Sequence, residues 1–513
     1  MDQEYIERRI TVGAITSKEF LSFIDDQFQP DYIQSPEARL ILSWCLDYYR
    51  QYKKAPNRDI QEIFEVKKQE LDEDKIDFIS DVLEGMSEEY DPEQFNADYL
   101  WTQTKDYFKH RHLELYADRI KGYLDTDQLE QAEISAEKYT PPSIVGLDGI
   151  YPFEDRAAVR KAFEHSVQPL FHFPGLLGKL MNEEFVREGF VNFLAPEKRG
   201  KSFLLAECGF RAQMEGNNVA FFQAGDMSEA QQIKRQAIWL SKRSYKDKYC
   251  KEMLVPVLDC IWNQIDDCKN EKNCMNSAEP PFANQSEQKI AIKEFAEYKE
   301  ALKNNPNYVP CTACKNTENF KGTVWYRLRP EVKPLTAEDA VRYMFKWGKK
   351  YRARLKMATY SNESLTSSII RNQLFLWEHR ENFVPSVIII DYADIMAPDK
   401  DCKQLQFREQ ENKKWQRLRA IAQDYKCLVI TASQADAESY ANNGTIGAKN
   451  FSEDKRKNAH VTAGFGLNQT DAEKEKGLIR INSYLARDND FLSSNAVTVL
   501  QRLQIGRPVL GSY

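Results

Sequence analysis

The spacing of apolar residues changes character once along this chain. From the start to about residue 140 they recur at helical intervals, with few strand-like runs. Leu40, Ile41, Trp44, Cys45 and Tyr48 fall on one helix face. Ser35 and Pro36 open that helix: a capping hydroxyl, then the residue whose missing N–H costs nothing at a first turn. Ser17 caps another helix running to Asp26. Ile76, Ile79, Val82 and Leu83 mark a further apolar face, and a long charged helix spans about Pro92 to Tyr123. Ala55, Pro56 and Asn57 break the pattern. An all-helical N-terminal domain over residues 1–140 follows, suited to interaction rather than catalysis. The turn-rich stretch Tyr139 to Ser143 opens a linker over residues 141–170, with a short helix between Asp155 and His165.

Beyond residue 171 the apolar residues come in unbroken runs: Phe190 to Leu194, Val219 to Phe222, Val387 to Ile390, and Leu428 to Ala432. Short continuous runs mark strands buried on both faces, and helical segments separate them. The pattern predicts an α/β domain over residues 171–513, built on a parallel-rich central sheet. Gly477 to Leu485 and Val497 to Ile505 add partly buried strands near the end.

The tips of these strands carry the chemistry. The first runs into Ala195, Pro196, Glu197, Lys198, Arg199 and Gly200, then Lys201, Ser202 and Phe203 at the start of an apolar helix. A strand, a glycine-bearing loop, Gly-Lys-Ser and a helix make a phosphate-binding loop. Backbone N–H groups and the helix dipole favour phosphate oxygens there. Lys201 supplies a point charge to the outer phosphates, and the Ser202 hydroxyl suits Mg²⁺. Ala195 stands where the first glycine of this loop is usual. Asp226 follows the second strand, on the edge of the sheet where ligands bind. It either orients an attacking water or caps the helix from Glu229 to Leu240. Asp391 ends the third strand in the manner of a carboxylate that supports Mg²⁺. Gln434 ends the fourth, near the expected γ-phosphate.

Charge and cysteine content refine this picture. The net charge of −7 gives no overall basic footprint, so nucleic-acid contact must rest on a local basic surface. No apolar run is long enough for a bilayer span, and the polar start, MDQEYIERR, is unlike a signal peptide. Five of the ten cysteines fall between Cys260 and Cys314. Cys311 and Cys314 form a CxxC knuckle, and Cys260 and Cys268 supply a second pair, with Cys274 as an alternative ligand. Paired thiolates without a secretion signal predict a structural Zn²⁺ site, in an insertion over residues 250–330. The run from Lys346 to Lys356 mixes basic and aromatic residues and fits nucleic acid or a solvated helix face.

In their order along the chain, these motifs resemble the DnaB-type replicative helicases, in particular divergent phage members. That family commonly places Ala at the first position of the phosphate loop, as Ala195 stands here. Asp226-Met227-Ser228 is similar to its Glu-Met-Ser, Asp391-Tyr392 to its Asp-Tyr, and Ser433-Gln434 to its Ser-Gln. Arg487 matches an arginine that reaches a neighbouring subunit's nucleotide, and Arg235 one that helps hold the phosphates. Two positions depart: Asp226 is shorter than the family's Glu, and Leu485 stands where a Lys is frequent. The motifs cover about residues 170 to 510.

The resemblance implies a RecA-like ATPase that uses ATP and Mg²⁺ to move along single-stranded DNA as a ring, with a hexamer expected. Primase or a loader is the implied partner, and the cytoplasm, of a bacterial host for a phage protein, the implied location. It also implies that Lys449, Lys455, Arg456 and Lys457 grip the DNA backbone in the central pore. An exposed loop with ordinary lysines is the other reading of that stretch. A recombinase or DNA-packaging motor, or a catalytically weak ATP-binding scaffold, are the alternative functions.

Overall fold

The computed structural model describes the chain apart from residues 1–2, 26, 73–74, 78, 81–82, 85–95, 130, 133–134, 136–152, 154–155, 157–158, 161–162, 164–167, 271–278, 284, 292, 316, 353, 436–444, 448–454 and 488–491. Cys274, Lys449, the Tyr139–Ser143 turn and much of the Asp155–His165 segment therefore lie outside the described residues. The chain divides into two compact units, Met1–His165 and Ser166–Tyr513.

The first unit is helical, and its ends form as local chemistry dictates. Ser17 accepts the Phe20 amide and caps helix Lys18–Ile24. Ser35 accepts the Ala38 amide and caps Pro36–Tyr52, which stops at Lys53 in the left-handed region. Asn96 caps the long helix Ala97–Asp125 by accepting the Tyr99 amide. Each cap satisfies a donor that the helix itself cannot, worth about 1 kcal/mol. Ile10, Phe20, Ile41, Cys45, Leu100 and Phe108 share one core. Tyr48 lies outside that core; its hydroxyl bonds Asp59 at 2.5 Å.

The second unit is built on a nine-stranded sheet. In chain order its strands are β1 (Phe190–Ala195), β2 (Val219–Gln223), β5 (Leu355–Thr359), β6 (Val387–Asp391), β7 (Leu428–Gln434), β8 (Ala463–Asn468), β9 (Leu478–Ala486), β10 (Ala496–Arg502) and β11 (Arg507–Ser512). Across the sheet the order is β11-β10-β9-β8-β1-β7-β6-β2-β5. Pairings from β5 through β8 are parallel, and β8 to β11 form an antiparallel extension.

Burial on both faces explains the unbroken apolar runs. Val387 and Ile389 belong to one core, with Leu204, Leu205 and Cys208 of helix Lys201–Met214. Ile388 and Ile390 belong to another, with Trp377 of helix Ser367–Glu381 and Trp415 of helix Phe407–Asp424. Each of these isoleucines is fully buried, worth about 1.5–3 kcal/mol apiece relative to exposure. The expected α/β domain on a parallel-rich sheet is thus met, and no helix among the described residues is long and apolar enough to cross a membrane.

The 250–330 insertion has a two-stranded sheet of its own. Its centre is an antiparallel pair, β3 (Met253–Cys260) with β4 (Gly322–Arg329). Helix Phe295–Asn304 packs on it through Phe295 and Tyr298, and Trp325, Tyr326, Leu478 and Leu500 complete the same core. Two short helices, Glu287–Ala291 and Phe295–Asn304, precede β4. A capping box between Glu294 and Glu297 restarts the second.

Candidate nucleotide-binding site

The site forms where β1, β2, β6 and β7 end side by side. Ala195 of β1 stands opposite Gln434 of β7, and Gln223 of β2 opposite Asp391 of β6. Parallel strands bring their carboxyl ends, and so the loops that follow, to one edge. Beneath that edge the Asn192 amide donates to the Ser433 hydroxyl at 2.7 Å and to the Tyr484 hydroxyl at 2.9 Å. Those bonds tie β1, β7 and β9 together under the loop.

From Ala195 the chain turns back sharply into helix Lys201–Met214. Lys198 and Gly200 have φ of +58° and +91°. Gly200 is the N-cap of the helix, and a Cβ there would lie 3.3 Å from Leu503 Cδ1. Glycine is therefore the residue that makes this turn at no steric cost. Gly225, at φ +120°, is the second such position: a Cβ would come within 2.5 Å of the Asn362 backbone. It carries the chain from β2 to Asp226.

The loop encloses a cavity of about 480 Å³, lined by Glu197, Lys198, Gly200, Lys201, Ser202, Phe203, Asp226, Arg235, Tyr392 and Leu503. A second cavity of about 290 Å³ shares Phe203, Asp226, Arg235 and Leu503 with it. Lys201 Nζ donates to the carbonyls of Ala195 and Pro196 at 2.9 and 3.3 Å, and sits 5.6 Å from the Tyr392 ring centre. Burial lowers its pKa, opposed by Asp394, Glu197, Asp391 and Asp226. The Ser202 hydroxyl donates to Asp391 at 2.9 Å. Burial pushes the Asp391 carboxyl up to about 6, against the pull of Arg235 and the Ser202 bond.

Arg235 brings a buried, unpaired donor to the cavity wall. Its guanidinium lies over the Phe203 ring at 4.3 Å, and its Nη1 is buried without a hydrogen-bond partner among the described residues. An unpaired buried donor costs about 1–3 kcal/mol unless something fills the need. Phosphate oxygens would. The Ser202–Asp391 pair is the oxygen donor set that Mg²⁺ takes beside a phosphate. The residues present therefore fit a magnesium nucleotide.

The sequence left Asp226 two roles, and the second is taken. Ser228 caps helix Glu229–Ser241, in a capping box with Gln231. Asp226 stays on the cavity wall as an exposed carboxylate. Gln434 Nε2 donates to Glu197 at 2.8 Å, while its backbone N–H donates to Asp394 at 2.8 Å. Arg199 pairs with Asp471 at 3.2 Å. Arg487 is exposed at the end of β9, donates to the Ala459 carbonyl, and is not among the residues lining the cavity beside Lys201. Leu485 is half-buried and packs against apolar residues.

Two residues of the site escaped the sequence reading. Gln232 donates to Gln223 and, at 3.3 Å, to Asp391, so it braces the Asp391 carboxylate. Asp394 gathers the Gln434 amide and Lys457 on one carboxylate. Its place three residues after Asp391 was the available signal.

Among the expected DNA contacts, Lys455 opens a short 3-10 helix, Lys455–Ala459, and Arg456 is exposed. Lys457 is a correction. It is 1% exposed, with Nζ 2.9 Å from Asp394 and 3.2 Å from Glu411. Two carboxylates already take its charge, so it is not placed to meet a DNA phosphate. Lys457→Ala is expected to cost about 3 kcal/mol of folding stability, because it strands those carboxylates. Denaturant unfolding would show it; a full-stability variant with weakened DNA binding would restore Lys457 as a phosphate contact.

Cys260, Cys268, Cys311 and Cys314 line one cavity of about 660 Å³. Among the described residues no three His, Cys, Asp or Glu side chains are grouped so as to hold a metal ion, so the expected tetrahedral site is not formed in this structure.

Sheet order and the junction of β1 with helix Lys201–Met214 together define an α/β fold on a largely parallel sheet. More particularly, the fold is that of the DnaB-like replicative helicases. A structure of such a helicase, described with its interactions with primase, is similar over 98% of both chains, at a TM-score of 0.52 and 13% identity. A second solved structure, that of a helicase ATPase domain, is similar over 71% of this chain and 99% of its own, at a TM-score of 0.43 and 11% identity. No family model and no curated protein matches the sequence.

Proposed function

We propose that this protein is a DnaB-like helicase that hydrolyses ATP to translocate on single-stranded DNA as a ring of identical subunits. The unpartnered Arg235 donor beside Lys201 and the Ser202–Asp391 pair is the observation that carries the nucleotide site. Lys201 and Arg235 hold the phosphates, with backbone N–H groups of the loop beneath them. Ser202 and Asp391 hold Mg²⁺, which neutralises charge on the phosphate oxygens when bound. Asp226 orients the attacking water from the cavity wall. Gln434 leaves Glu197 to meet the γ-phosphate. Arg487, exposed and away from its own site, reaches the nucleotide of the next subunit. A closed ring gives every site such a neighbour, and a hexamer is the proposed number.

Lys449, Lys455 and Arg456 are the proposed contacts to the DNA backbone, giving affinity without sequence choice. The similar helicase is described with primase, and primase is the proposed partner of the helical first unit. The proposed location is the cytoplasm. Asp226 and Leu485, which shorten one catalytic group and remove a frequent charge, favour a second reading as a weakly hydrolysing ATP-binding scaffold. A forked DNA duplex separates them: the helicase displaces the strand with ATP and Mg²⁺, whereas a scaffold leaves the fork intact while still binding nucleotide.

A further inference from the structure

The cysteine-lined cavity of the insertion has a construction that core packing does not require. Cys260 closes β3, and Cys311 and Cys314 sit on a loop distant in sequence. A single buried carboxylate joins these two segments. Asp259 is fully buried, and its Oδ1 accepts the backbone N–H of both Cys260 and Cys311, each at 2.8 Å. Its Oδ2 accepts Gln264 Nε2 and the Tyr308 hydroxyl, both at 2.9 Å. One oxygen thus fixes two cysteine backbones side by side, and a second hydrogen-bond pair fixes that carboxylate. Cys268 and Cys314 complete the wall of the same cavity. None of the four is in a disulfide.

We propose that this cavity is a structural zinc site, with Cys260, Cys268, Cys311 and Cys314 as its thiolate ligands. Four cysteines on two short segments match the ligand type and number that Zn²⁺ takes in structural sites. In the present arrangement the thiols surround the space without closing on one point. The ion would draw in the loops carrying Cys268 and Cys314, while Asp259 already holds Cys260 and Cys311 in place. Outer-sphere hydrogen bonds of this kind orient the groups that bind a metal. Each thiol that binds gives up its proton, so loading releases protons and is reversed by chelation or acid. The site would staple the tip of an insertion whose base packs on β9 and β10 through Leu478 and Leu500.

The test is metal content of the full chain, purified without chelator or a histidine tag and measured by elemental mass spectrometry. About one zinc per chain is expected. Cys311→Ser with Cys314→Ser should reduce it to background, and Cys427→Ser, in a separate core and not on the cavity wall, should keep it. Exchange with Co²⁺ gives a second readout that does not depend on the variants folding: thiolate-to-cobalt charge-transfer absorption in the native chain. Iron in place of zinc, a Cys311–Cys314 disulfide, or a native chain that stays metal-free after incubation with Zn²⁺ would each overturn the proposal.

Discussion

A Lys201→Ala variant should lose ATP turnover by about 10²–10³-fold, the loss that follows removal of one charged or hydrogen-bonding group aimed at developing charge. Lys201 is half-buried, held by two loop carbonyls and flanked by Tyr392. Burial works against its charge, so a phosphate gains more from that ammonium than it would from a solvated lysine. Nucleotide affinity should fall with turnover, because the same charge acts on ground state and transition state. Phosphate release at saturating ATP, with equilibrium binding of a nucleotide analogue, measures both. Turnover equal to that of the unmodified chain would remove this loop from the active site.

Asp226→Asn should separate the two effects. Turnover is expected to fall by about 10²–10⁴-fold, the usual contribution of a positioned acid–base group. Nucleotide binding should stay within a few fold. Asparagine keeps the shape of the side chain but cannot accept a proton from water. The change spares the neighbouring helix, which is capped by Ser228. Unchanged turnover would mean that another group positions the water. A large loss of nucleotide affinity would mean that Asp226 serves binding instead.

Much of this site was legible because its chemistry is local. Gly200, Lys201 and Ser202 are consecutive, and a buried strand precedes them, so loop and helix start can be read together. Asp391 and Gln434 each end an apolar run whose burial on both faces leaves a distinct pattern. The helix caps Ser17 and Ser35 bond within three residues and were equally plain.

What was hidden depends on contacts distant in sequence. Lys457 reads as one of a basic cluster, and only Asp394 and Glu411, brought from β6's loop and a neighbouring helix, reveal it as a buried ion pair. Strand β5 lies within a basic stretch, and every one of its residues is only half-buried, as befits a sheet edge. Strand β8 contains two glycines and lacked an apolar run. Gly464 is needed there because a Cβ would come within 2.2 Å of the Tyr484 ring. The β3–β4 pair was masked by Pro256 and by the cysteines that follow it.

The most direct test of the helicase function is ATP turnover with and without single-stranded DNA, on a chain whose native mass is measured in the same buffer. A ring helicase gives turnover stimulated by DNA in a ring-sized assembly of identical subunits. Nucleotide binding with no turnover, DNA present or absent, would contradict it, and would leave a nucleotide-binding scaffold with a helicase fold.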